Sequence, residues 1–243
     1  MSLHESDVEP LPSQLNQAIR DLCPAAVDRS PAVWTCPQPL ARPDLLVLGI
    51  GGNDVGFGAI LLKAVIKECE VDCVRRISSK GFATLDASYA EMAGLINASL
   101  APARTLMLDY GDPTRDEKGR FCSIDGSPAR LFRTPSPVPV LQITSKEYEA
   151  AYKLVIDPLN KAGDRLVAAN AGRGWARLRY MEAATRTKGL CSLQSWFNSG
   201  WASYMKQHNL PGAFFSSGTA HPNIIYQSRQ ADAIVDWMAR NGF

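Results

Sequence analysis

The chain has 243 residues, 46% of them hydrophobic, enough to bury a full core as one α/β domain or two small ones. Net charge is +2, and Arg75-Arg76, Arg173, Arg177, Arg179 and Arg186 are scattered rather than clustered with aromatics, so no basic field selects nucleic acid or an anionic membrane. No apolar run is long enough for a membrane span; Ala59 to Ile66 is broken by Lys63.

Residues 1–12 read as a loose lead-in and 13–243 as a single domain. No secretory signal precedes the acidic, proline-bearing start, and Met1-Ser2-Leu3 fits an expression-vector remnant, with the native protein then beginning upstream. Ser13 to Leu22 predicts a short helix with Leu15, Ala18, Ile19 and Leu22 on one side. Cys23 to Pro43 is proline-rich and predicts an irregular connection. It feeds a strand over 44–50, where an apolar, β-branched run stops abruptly at Gly51-Gly52-Asn53-Asp54. Helix is predicted from Val55 to Cys69, then a Cys-rich loop, then a helix from Thr84 to Leu100. Thr105 to Tyr110 reads as the next buried strand.

Gly111 to Pro139 reads as a long loop, of a length that is usually functional or tied down. Lys146 to Ala171 is a long helical pattern in which Pro158 predicts a kink or a break. Trp175 to Met181 alternates as an edge strand would, and Ser228 to Asn241 is a terminal amphipathic helix. Strands alternating with helices imply a parallel, three-layer α/β sheet. With only three convincing strands, the sheet looks short at its amino-terminal side. A bare edge there is a template for pairing with another chain, so a homodimer through that edge is an expectation.

The six cysteines fit three disulfides in an exported protein, secreted or periplasmic: Cys23–Cys36, Cys69–Cys73 and Cys122–Cys191. Sequence alone leaves the connectivity open, and buried free thiols are the alternative. Cys69 and Cys73 have no second tight pair or nearby histidine to complete a zinc set.

Two residues suggest acyl-transfer chemistry. Asn53 stands at the carboxyl end of a predicted strand, where open α/β sheets build their sites, and its neutral carboxamide can donate to a developing oxyanion. The bland alternative is that Asn53 caps the following helix. His221, in the turn Gly218-Thr219-Ala220-His221-Pro222-Asn223, suits a general base; its bland alternative is a surface turn residue. Asp54 reads as structural, accepting backbone N–H bonds at the turn, and Asp109 and Asp112 as loop-stabilising. Trp196, Phe197, Trp201, Tyr204, Phe214 and Phe215 read first as core and second as the frame of an acyl or aryl pocket.

Taken in order, these motifs resemble the SGNH (GDSL-type) hydrolase family. Leu48-Gly49-Ile50-Gly51-Gly52-Asn53-Asp54-Val55-Gly56-Phe57 resembles its third block, whose Asn is an oxyanion donor, and His221-Pro222-Asn223 its fifth block, whose His is the base. Tyr110-Gly-Asp-Pro-Thr, Gly119-Arg-Phe-Cys122 and Gly189-Leu-Cys191 resemble features of its secreted, disulfide-bearing bacterial branch, and Pro10 to Leu22 resembles the segment before the third block. The resemblance implies a three-layer α/β/α, flavodoxin-like parallel sheet (the SGNH hydrolase fold) missing its first strands. It also implies an esterase or lipase acting on a small-molecule, lipid or carbohydrate ester without a metal or organic cofactor, with Gly52, Asn53 and Gly218 about the oxyanion pocket.

The departures are as definite. The family's first block, Gly-Asp-Ser, supplies the nucleophilic serine, and its second supplies a further oxyanion donor; neither has a counterpart here. Ser13 lies in no such motif, and Ser216 and Ser217 lie close to His221 in sequence. The resemblance therefore implies a serine upstream of residue 10 and little activity from this chain alone. Where the family commonly places an aspartate to orient the ring, the chain has Gly218, whose backbone carbonyl would have to serve. The rival reading is a non-catalytic module that binds a carbohydrate or a protein partner at the same rim.

Overall fold

The computed structural model describes residues 14–23, 27–29, 33–36, 42–57, 60, 71–123, 144–198 and 220–243. Helix α1 (Gln14–Leu22) leads into a small antiparallel pair, β1 (Val27–Arg29) and β2 (Val33–Thr35). The segment expected to be irregular thus contains a hairpin, closed by the Cys23–Cys36 disulfide. Ile19, both half-cystines and Leu100 form a small core of their own, which docks α1 onto the rest.

The main sheet is parallel, in the order β3 (Leu45–Leu48), β4 (Arg104–Leu108), β5 (Trp175–Leu178). Strand β4 lies at the centre, and its pleat divides the core. Leu106 and Leu108 face one way, with Leu178, Ala233 and Trp237; Met107 faces the other, with Val74, Leu85, Tyr89, Leu159 and Ala162. The first face is covered by α6 (Ile224–Arg240), the second by α2 (Val71–Leu95) and α4 (Asp157–Asn170). The fold is therefore the three-layer α/β arrangement that strand–helix alternation implies. Among the described residues, β3 has no partner on its outer side, and Val47 there is 38% exposed.

Several boundaries differ from the sequence expectation; strand β5, expected to run to Met181, stops at Leu178, and Met181 instead opens a short helix. Helix α2 begins at Val71 rather than Thr84, running through the stretch read as a Cys-rich loop. Gly81 permits this: a Cβ there would collide with the backbone oxygen of Asp54 and stand 2.6 Å from Val55 Cα, so the glycine lets helix and turn pack backbone to backbone. The Lys146 to Ala171 pattern is helical but not uniform. Helix α3 (Ser145–Ala151), opened by a reciprocal Thr144–Glu147 capping box, widens into a π turn over Tyr152–Ile156 before α4. Pro158 sits in the first turn of α4, where its missing N–H is absorbed by that change of winding. Helix α6 starts four residues earlier than expected, because the Asn223 side chain accepts from the Ile225 and Tyr226 N–H groups.

The described part of the loop after β4, up to Ser123, is tied down, as expected of a loop of that length, while residues 124–143 lie outside the described residues. Asp112, fully buried, accepts from the Thr114 backbone N–H and hydroxyl and pairs with Arg115 Nε at 2.7 Å. The Arg115 guanidinium stacks over Phe121 and Tyr152, and Cys122–Cys191 fastens the loop to the segment after α5 (Met181–Thr185). Cys73 is disulfide-bonded as well, while Cys69 lies outside the described residues. Disulfides of this kind fit an extracellular protein. No described helix is long and apolar enough to cross a membrane.

Candidate functional site

The carboxyl ends of β3 and β4 open into a cavity of about 550 Å³, where doubly wound sheets usually bind ligands. Its walls come from four places: Gly49 to Asp54 after β3, Asp109 to Gly111 after β4, the segment Ala220 to Pro222, and Tyr226 and Gln230 of α6. Ile156, Leu159, Phe197 and Phe57 supply apolar surface. Asn53 and His221, separated by most of the chain, thus line one cavity.

The β3 turn is held by bonds that leave the Asn53 side chain out. Gly51 O accepts from Val55 N at 3.2 Å, Gly52 O from Phe57 N at 3.1 Å, and Asn53 O from Gly56 N at 2.9 Å. Two tyrosine hydroxyls complete the hold. Tyr89 Oη donates to Ile50 O at 2.9 Å, and Gly52 N donates to Tyr110 Oη at 3.0 Å. Gly51 has φ +108°, and a Cβ there would come within 2.8 Å of Leu159 Cδ1 and closer still to Tyr89 Oη. The Asn53 carboxamide is exposed and makes no hydrogen bond among the described residues, so the capping alternative is not what the turn uses it for. The same holds for Asp54. Expected to accept backbone N–H bonds, it is exposed with none among the described residues, because the glycine carbonyls and the tyrosines do that work.

His221 is carried on a short strap. Ala220 N donates to Asn198 O, Asn198 N to His221 O and Asn223 N to Trp196 O, each at 2.9 Å, pairing 196–198 with 220–223 around a Phe197–Pro222 bridge. Asn223 Nδ2 adds a bond to Ser195 O. Asn223, part of the His-Pro-Asn motif, thus anchors the strap and caps α6 at once. The imidazole is exposed and has no hydrogen-bond partner among the described residues. Gly218, the expected source of an orienting carbonyl, lies outside them, as do Ser216, Ser217, Trp201, Tyr204, Phe214 and Phe215. Of the expected aromatics, Phe197 is buried in the core and also lines the cavity, while Trp196 packs against the core.

The floor of the cavity is structural. Asp109 accepts from Met181 N and Glu182 N, capping α5; burial raises its pKa, opposed by those backbone bonds. Tyr226 Oη accepts from Gly111 N, and burial pushes its phenol above the usual range. Burial likewise raises Tyr89 and Tyr110, so all three hydroxyls stay protonated at neutral pH. Arg177, buried against the Leu108 and Asn160 carbonyls, pairs with Asp164 outside the cavity lining. Of the two clamping tyrosines, Tyr110 stands out from sequence only as the head of the Tyr110-Gly-Asp-Pro-Thr stretch and Tyr89 not at all; nothing in their local patterns marks a hydroxyl that bonds a turn 39 or 58 positions away.

No protein-family model matches the chain, and no curated protein matches it. Among solved structures, phospholipase A1 from Streptomyces albidoflavus NA297 aligns over 65% of this chain at 20% identity and a TM-score of 0.37. The chain spans 57% of that protein's length. The functional reading rests on the cavity rather than on that likeness.

Proposed function

We propose that this chain forms the base and oxyanion side of a serine esterase of the SGNH type, acting on carboxylic esters. The observation that carries the reading is the meeting of Asn53 and His221 in one partly apolar cavity at the carboxyl ends of β3 and β4. An ester carbonyl in that cavity would be attacked by a serine hydroxyl, whose proton passes to His221. The carbonyl oxygen becomes an oxyanion, stabilised by the Asn53 carboxamide; Gly52 lines the pocket beside it, its N–H engaged by Tyr110 Oη. Collapse of the tetrahedral intermediate expels the alcohol, which takes the proton back from His221. Water then repeats the sequence and frees the acid.

No serine lines the cavity among the described residues, and the proposal takes the nucleophile from a segment upstream of residue 10, as the family resemblance implies. The outer edge of β3 is where an additional strand would join the sheet, or a second copy of the chain would pair in its place. Disulfides are consistent with an exported enzyme.

The test is ester hydrolysis by two proteins side by side, this chain and a version carrying its native upstream sequence. Turnover of p-nitrophenyl butyrate by the longer form alone, abolished by His221→Ala, is the expected result. Robust, His221-dependent turnover by this chain would overturn the upstream serine. Inactivity of both forms on every ester tried would instead favour a binding module at the same rim.

A further inference from the structure

Resting on the ester-site reading, we propose that Tyr110 is a substrate-contacting residue, whose hydroxyl donates to the acyl oxygen of an ester beside Asn53. Tyr110 lines the cavity together with Gly52 and Asn53, and its ring covers the face of the turn. A Cβ added to Gly52 would stand 3.2 Å from both Tyr110 Oη and Cε1. The hydroxyl oxygen is occupied as an acceptor, taking the Gly52 N–H at 3.0 Å. A phenol has one proton to give as well, and that proton has no acceptor among the described residues. Such a donor at the margin of a ligand cavity is satisfied by water when the cavity is empty and by ligand when it is filled.

The position suits this work. Tyr110 follows directly after β4, and its backbone is fixed on both sides: Asn160 Oδ1 accepts from Tyr110 N at 2.7 Å, and Asn160 Nδ2 donates to Tyr110 O at 3.0 Å. The accepted Gly52 N–H polarises the phenol, which strengthens the bond its own proton makes. Burial keeps the phenol neutral across the working pH range, so it donates without titrating away. Tyr110, bonded to Gly52 N, and Asn53, next to Gly52 in the chain, then form a neutral pair of donors lining one cavity.

Tyr89 provides the control. Its hydroxyl clamps the same turn through Ile50 O, yet it is not part of the cavity lining. A purely structural role for Tyr110 predicts that Tyr89→Phe and Tyr110→Phe behave alike; a substrate contact predicts that they do not.

The experiment is infrared spectroscopy of methyl butyrate labelled with ¹³C at the carbonyl, bound to this chain, with affinity read from nuclear magnetic resonance titration. Wild type is expected to bind with a carbonyl band at lower frequency than in Tyr110→Phe. Loss of the contact should weaken binding by about fivefold to tenfold. Tyr89→Phe, which loosens the turn but removes no cavity donor, should keep the wild-type band and weaken binding less than Tyr110→Phe does. An unchanged band and affinity in Tyr110→Phe, with Asn53→Ala altered, would overturn the proposal and leave the ester site standing. Equal shifts in both phenylalanine variants would make Tyr110 a turn clamp only. No binding to the wild type would remove the ester-site reading and this inference with it.

Discussion

Replacing Gly51 by alanine tests whether the β3 turn is held as described. The position has φ +108°, a conformation in which a side chain is strained by about 1–3 kcal/mol. The new methyl also falls on Tyr89 Oη and within 2.8 Å of Leu159 Cδ1. Leu159 is buried in the main core and cannot withdraw freely. The tyrosine must move instead, breaking its bond to Ile50 O, and an unpaired buried hydroxyl costs about 1–3 kcal/mol. Together the loss is about 2–6 kcal/mol, a large share of the roughly 5–15 kcal/mol that holds a domain folded. For a domain of this size, each kcal/mol lowers Tm by about 2–4 °C. Urea and thermal unfolding would measure it. Gly94→Ala is the matched control, because nothing lies within 4 Å of its Cβ position on exposed helix α2. That change should be neutral or stabilise by about 0.5–1 kcal/mol. A Gly51→Ala protein within about 0.5 kcal/mol of wild type, the range of an ordinary surface substitution, would refute the account of this turn.

The two described disulfides should rank by the loops they close. In the chain-entropy account, serine replacement of Cys122 and Cys191, 69 positions apart, costs about 4 kcal/mol. Replacement of Cys23 and Cys36, 13 apart, costs about 3 kcal/mol, and denaturant midpoints would report the order. Asn223→Ala should destabilise by about 1–2 kcal/mol through the lost cap of α6. It should also loosen the strap under His221, which amide exchange at Asn198 and Ala220 would register. For Asp109 the sign follows from its raised pKa. Its contribution is fully present below the unfolded value near 3.8 and is lost as pH rises through the higher folded value. The stability of wild type over Asp109→Asn should therefore be greater at acid pH than at neutral pH, in unfolding curves taken across that window. A gap that widens toward neutrality would contradict the burial argument.

Much of the architecture was legible because hydrophobic period is local information. Leu45–Leu48 and Arg104–Leu108 read as strands from their own residues, and Asn53 and His221 from the motifs around them. What escaped the sequence depends on distant partners. The stretch before Thr84 reads as a Cys-rich loop, yet it is helix from Val71, and Gly81 within it admits the backbone of residues 54 and 55. Asp54 looks like a turn acceptor, but Tyr89 and Tyr110 arrive from elsewhere and hold the turn first. Asn223 is visible in sequence as part of the His-Pro-Asn motif, while its cap and its bond to Ser195 O need the folded chain.

The most direct test of the central claim is the kinetic effect of Asn53→Ala in the version carrying the native upstream sequence. The side chain is exposed and makes no hydrogen bond among the described residues, so its loss should leave stability unchanged. As an oxyanion donor it should cost about 10²–10³-fold in kcat with KM nearly constant. An unchanged kcat would contradict the account and return Asn53 to the surface of the turn.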